Sequence, residues 1–110
     1  MTVWGLKSCD TCRRALRALS AAGFAPRFVD LRADGVTPDD LARFHAKFGA
    51  DLVNRRSATW RGLDAAARTR PAVLLIGQHP ALMKRPVIEH GGRLLLGWAG
   101  DVRAALGVAG

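Results

Sequence analysis

Cysteine is scarce in this chain, acidic residues are few, and no apolar run is long. The longest apolar stretches fall far short of the ~18 residues that a membrane-spanning helix needs, which excludes an integral helical membrane protein. Met1-Thr2-Val3-Trp4-Gly5 offers neither a basic leader nor a long apolar segment. A cytoplasmic, reducing setting is therefore the expectation. In such a setting two cysteines, Cys9 and Cys12, point to catalysis or metal binding rather than to a structural staple. A second cysteine pair is missing, and His45, His79 and His90 lack the short spacing of a zinc motif, so no metal is expected. With 17 Lys and Arg against 9 Asp and Glu the net charge is +8, yet no dense basic run or aromatic platform accompanies it. Nucleic-acid binding is thus a weak reading, and a solvated arginine-rich surface the stronger one. Repeats, linkers and low-complexity segments are also lacking, so residues 1–110 read as one domain.

What the chain does have is 49% apolar residues, enough for a packed core at this length. Thr2 to Leu6 reads as a short buried strand, and Lys7 to Asp10 as a loop. From Thr11 to Ala22, the residues Cys12, Ala15, Leu16 and Leu19 recur at helical spacing. Arg13, Arg14 and Arg17 fall on the other side, and Gly23 closes the helix. Arg27 to Leu31 is a second strand, followed by a turn at Asp34-Gly35. Thr37-Pro38-Asp39-Asp40 starts a helix whose apolar face carries Leu41, Phe44 and Phe48 up to Gly49. Leu52 to Thr59 reads as a loop or short helix, and Leu63 to Arg68 as another short helix. Val73 to Ile76 suits a buried helix or a strand, since four consecutive apolar residues have no diagnostic period. Arg85 to Glu89 is a strand entered through Pro86. Gly91-Gly92 turns it into a hairpin with Arg93 to Gly97. Asp101 to Leu106 makes a last helix, and residues 107–110 are expected to fray.

The order is β-α-β, a helical middle, a hairpin and a final helix. A Cys-x-x-Cys opening the first helix of a βαβ unit is the sequence signal of an α/β, thioredoxin-like domain. Cys9 sits where unpaired amides of the first helical turn favour a thiolate, so it is the expected nucleophile. Cys12 follows on the apolar face. It is either a resolving thiol or a small packed residue. Arg85, held by the Pro86 loop, is either a solvent-exposed charge or an anion ligand that favours the thiolate. Arg56, between Arg55 and Ser57, reads by position as a solvated charge.

Three ordered blocks resemble the ArsC/Spx family of thioredoxin-like proteins. They are Gly5-Leu6-Lys7-Ser8-Cys9-Asp10-Thr11-Cys12-Arg13-Arg14-Ala15, Asn54 to Leu63, and His79 to Ile88. The first two are most similar to the YffB-like branch, through Gly-x-Lys-x-Cys-Asp-Thr and Arg-x-x-Thr-Trp-Arg-x-Leu. The resemblance implies a thioredoxin-like sheet with an inserted helical segment. It places the nucleophile on Cys9, anion-binding arginines on Arg56 and Arg85, and a loop proline, commonly cis, on Pro86. It further implies a thiol-disulfide or glutathione-dependent reductase, with glutathione as co-substrate and no bound cofactor. A glutaredoxin or thioredoxin is the implied redox partner, and a small anion or disulfide the substrate. Two alternatives come with it: an Spx-like redox sensor that binds RNA polymerase, and a true arsenate reductase. Arsenate reductases of the family carry a further arginine in the last hairpin, where this chain has Leu96. Arg93 lies three residues earlier, an odd offset that puts it on the other sheet face.

Overall fold

The computed structural model describes residues 1–108. Its elements are β1 (Thr2–Gly5), α1 (Asp10–Ala21), β2 (Arg27–Asp30), α2 (Pro38–Phe48), α3 (Ala58–Arg61), α4 (Ala65–Arg68), α5 (Ala72–Gln78), β3 (Val87–His90), β4 (Arg93–Leu96) and α6 (Gly100–Leu106). Two 3-10 turns, Gly49–Leu52 and Pro80–Leu82, flank the helical middle. The sheet order is β2-β1-β3-β4. β1 and β2 run parallel, joined by α1 as a crossover, while β3 is antiparallel to both β1 and β4. This is the mixed α/β architecture expected of a thioredoxin-like domain.

Alternation along the strands divides the core into two layers. Trp4, Val87, Leu94 and Leu96 face one side, where α2 brings Leu41 and Phe44 and α5 brings Leu75 and Ile76. Trp4 and Phe44 meet edge to face with ring centroids 4.8 Å apart. Val3, Ile88 and Leu95 face the other side, against Ala15 and Leu19 of α1 and Trp98 and Val102 beside and within α6. The helical middle therefore lids the face that α1 and α6 leave bare. This partner explains the Val73–Ile76 run: Leu75 and Ile76 turn into the core while Leu74 stays 49% exposed. That division suits a helix, so the strand alternative falls away.

Local chemistry sets the element ends. Thr37 Oγ1 accepts the Asp40 amide at 3.1 Å with Pro38 in the first turn of α2. Ser57 and Asp64 cap α3 and α4 in the same way. Gly91 and Gly92 have φ of 58° and 77°, the two positive values that a two-residue hairpin turn of this kind requires. The expected fraying at the C-terminus does not begin at Gly107. That residue takes the left-handed conformation, and Val108 donates to Arg103 O at 2.9 Å and packs into the second core layer. Residues 109 and 110 lie outside the described residues. Among the described residues, no helix is long and apolar enough to cross a membrane.

Candidate active site

Three pieces of chain meet at one end of the sheet. The first is the β1–α1 loop, where the Cys9 amide donates to Leu6 O at 3.0 Å and Cys9 takes the N-cap position of α1 in an extended conformation. The second is the loop entering β3. There Arg85 is half-buried, its Nη1 donates to Ala81 O at 2.8 Å and Met83 O at 3.1 Å, and the Arg85–Pro86 peptide is cis. The third is the stretch after α2. It is bound to the second by a short antiparallel clamp, in which Val53 bridges Met83, the Asn54 amide donates to Leu82 O and the Lys84 amide donates to Leu52 O, both at 2.8 Å.

These pieces enclose a cleft of about 540 Å³ lined by Cys9, Thr11, Asp51, Asn54, Lys84, Arg85 and Leu96, with Met83 and Gly97 behind them. Cys9 is half-buried against the core layer containing Trp4 and Leu96. Burial alone would raise its pKa. The Cys12 amide at the helix mouth, the Arg85 guanidinium and the Cys12 thiol all favour the thiolate and outweigh that, so the Cys9 thiol titrates below its ordinary value. Cys12 behaves oppositely. It is completely buried, and burial together with the neighbouring Cys9 thiolate pushes it up to about 12. Its sulfur also packs against Gly5, where an added Cβ would lie 2.5 Å from Sγ. The two cysteines are free thiols.

Cys9 and Arg85 thus come together in the cleft, with Cys12 fully buried beside Cys9 and Pro86 buried behind Arg85. Arg56 does not line that cleft. It is exposed and borders an adjoining depression of about 400 Å³, shared with Arg55 and with Asp51, Asn54 and Lys84 of the cleft itself. The basic residues nearest Cys9 in sequence also turn away from it. Lys7, Arg13 and Arg14 are exposed, and Arg13 pairs with Asp10. Leu96 stands on the cleft wall, whereas exposed Arg93 pairs with His90 across the hairpin and lines a different surface. Sequence reasoning gave no role to Lys84, Asn54 or Asp51. Adjacency to Arg85-Pro86 was an available signal for Lys84; nothing local distinguishes Asp51. Among the described residues, no three His, Cys, Asp or Glu side chains gather as a metal site.

Comparison with known proteins identifies the family. The structure of the YffB (PA3664) protein is 36% identical, covers 94% of this chain and 96% of its own, and superposes with a TM-score of 0.87. An arsenate reductase (ArsC) related protein from Brucella melitensis is 31% identical over 96% of this chain and 92% of its own, with a TM-score of 0.73. An uncharacterized protein of Haemophilus influenzae is 37% identical over 103 residues, 89% of this chain and 90% of that protein. An arsenate reductase from Vibrio cholerae is 18% identical with a TM-score of 0.71, a likeness of fold. The ArsC family model matches residues 4–105, nearly the whole chain. With the cysteine at the helix mouth and the arginine before a cis proline both in place, the chain belongs to the ArsC family.

Proposed function

We propose that this protein is a thiol-dependent reductase that acts on disulfides through Cys9. The observation that carries this reading is Cys9 itself, a half-buried thiol at the N-cap of α1 that lines an open cleft together with Arg85. The Cys9 thiolate attacks one sulfur of a substrate disulfide. A bond forms between the two sulfurs, the original disulfide bond breaks, and the departing thiolate takes a proton from water. A second thiol then attacks the Cys9 mixed disulfide and releases the remaining substrate half as a thiol. A further equivalent of that thiol reduces Cys9 again, so two reducing thiols become one disulfide for each substrate disulfide cleaved.

Glutathione suits the role of second thiol better than Cys12. Cys12 is fully buried and keeps its proton well above neutral pH, while the cleft is open to a small thiol. Arg85 serves two ends here. It favours the thiolate, and as a guanidinium lining the cleft it is placed to pair with an anionic group of the ligand. Leu96 on the wall supplies no charge where an oxyanion would need one, which favours a disulfide over arsenate as substrate. A glutathione-coupled reductase assay tests the reading. Turnover is expected in the wild type and in Cys12→Ser, with loss of at least about a thousandfold in Cys9→Ser. Equal turnover in wild type and Cys9→Ser would overturn it.

A further inference from the structure

A buried carboxylate lies just behind the nucleophile loop. Asp30, the last residue of β2, is the only charged side chain fully buried among the described residues, at 5% exposure. Its Oδ1 accepts the amides of Arg32 and Ala33 at 2.9 and 2.8 Å, and its own amide donates to Asp34 Oδ2 at 2.9 Å. Those bonds build the turn after β2. The remaining bond leaves that turn: Oδ2 accepts the amide of Lys7 at 2.9 Å, two residues before Cys9. Burying a carboxylate is costly unless its oxygens are satisfied, and here backbone amides from two separate segments satisfy it.

The Lys7 bond matters because little else holds that loop. Lys7 and Ser8 are both exposed, so apolar packing does not fix them. Among the described residues, three hydrogen bonds define the stretch from Leu6 to Cys9: the Arg13 amide to Cys9 O and the Cys9 amide to Leu6 O at its helical end, and the Lys7 amide to Asp30 at its start. The sheet ends here too, with the Leu31 amide donating to Gly5 O at 2.8 Å. Asp30 therefore ties the start of the loop to the last fixed point of the sheet. The Cys9 sulfur depends on that tie, because its stabilising partners sit on different elements: the Cys12 amide on α1 and Arg85 on the loop before β3.

We propose that Asp30 is a positioning residue for Cys9, whose carboxylate fixes the nucleophile loop through the Lys7 amide and so keeps the sulfur in register with the Cys12 amide and Arg85. This rests on the reading of Cys9 as the nucleophile. Asp30 is not a catalytic residue; it touches neither the sulfur nor the cleft.

The test is the pH dependence of Cys9 alkylation by neutral iodoacetamide, followed by intact mass. The charged and titratable groups around Cys9 are Cys12 on α1, Arg85 and Lys84 before β3, and Asp51 after α2; all are kept. Asp30→Asn places a donor where the Lys7 amide needs an acceptor. A semisynthetic full-length chain, ligated at Cys9, carries an ester in place of the amide joining Leu6 to Lys7, and so loses the same hydrogen bond without any change of charge. Both are expected to move the midpoint to higher pH and to slow alkylation roughly tenfold at pH 6, where the rate follows the thiolate fraction. Asp34→Ala breaks the far side of the same turn and is expected to cost stability while leaving the midpoint in place. The sign separates two origins. Loss of a nearby negative charge alone would lower the midpoint in Asp30→Asn and leave the ester chain unchanged; that result, or an unchanged ester chain in any form, overturns the proposal. Should Asp30→Asn fail to fold, the ester chain decides alone. A wild-type Cys9 that titrates as an ordinary thiol would overturn the proposed nucleophile as well, a failure visible before any variant is made.

Discussion

Gly5 and Cys12 form a contact that leaves no room for a methyl group. A Cβ at residue 5 would lie 2.5 Å from the Cys12 sulfur and 3.3 Å from Cε1 of Phe28. Gly5→Ala is expected to lower unfolding free energy by about 1–3 kcal/mol, the usual cost of overpacking. Urea denaturation of Gly5→Ala, Cys12→Ala and the double variant checks it. A coupling energy beyond about 0.5 kcal/mol between the two sites is expected, since they share one contact. The same burial governs alkaline behaviour. The native Cys12 thiol holds its proton up to about 12, whereas an unfolded thiol ionises near ~8.5. The unfolded state thus loses a proton first as pH rises. This group leaves stability unchanged below ~8 and subtracts from it from ~8.5 upward towards about 12. Cys12→Ala is expected to flatten that alkaline limb in a pH series of urea midpoints.

Short helices in the middle of the chain depend on their caps more than on length. A four-residue helix cannot nucleate unaided, so α3 and α4 exist because Ser57 and Asp64 accept the Trp60 and Ala67 amides. Ser57→Ala is expected to cost about 1 kcal/mol in denaturant melts and to loosen the segment that carries Arg56. At this scale much of the fold was legible in the residues. Thr37-Pro38, Gly91-Gly92 and the spacing of Cys12, Ala15 and Leu19 each specify their geometry through neighbours close in sequence. Cys9 was legible for the same reason: a helix mouth is a local feature. The walls of its cleft were not. Lys84 and Asp51 reach the cleft through the clamp between Leu52 and Lys84, a pairing across residues distant in sequence and without a local signature. Arg56 reads by position as a solvated charge and is exposed; family resemblance pairs it with Arg85, and the structure sets it in the depression that adjoins the cleft.

On the scale of the whole molecule the excess of positive charge gathers meaning from where it lies. Lys84 and Arg85 line the cleft with Asp51 beside them, and Arg55 and Arg56 border the adjoining depression. Exposed charges of this kind act mainly on encounter rates and are screened within about 8 Å at physiological salt. Cys9 is therefore expected to react with a dianionic aromatic disulfide several-fold faster at about 20 mM than at about 500 mM salt, while a neutral dipyridyl disulfide shows little change; stopped-flow absorbance distinguishes them. The clamp has a consequence of another sort. Because the Leu52–Lys84 and Asn54–Leu82 bonds set the distance between the two cleft walls, the intervening stretch does not have to act as a ruler. Its length is free to drift. Extra residues at exposed Thr69-Arg70 would leave the thiol site where it is, giving the fold a place to acquire new surface without retuning its chemistry.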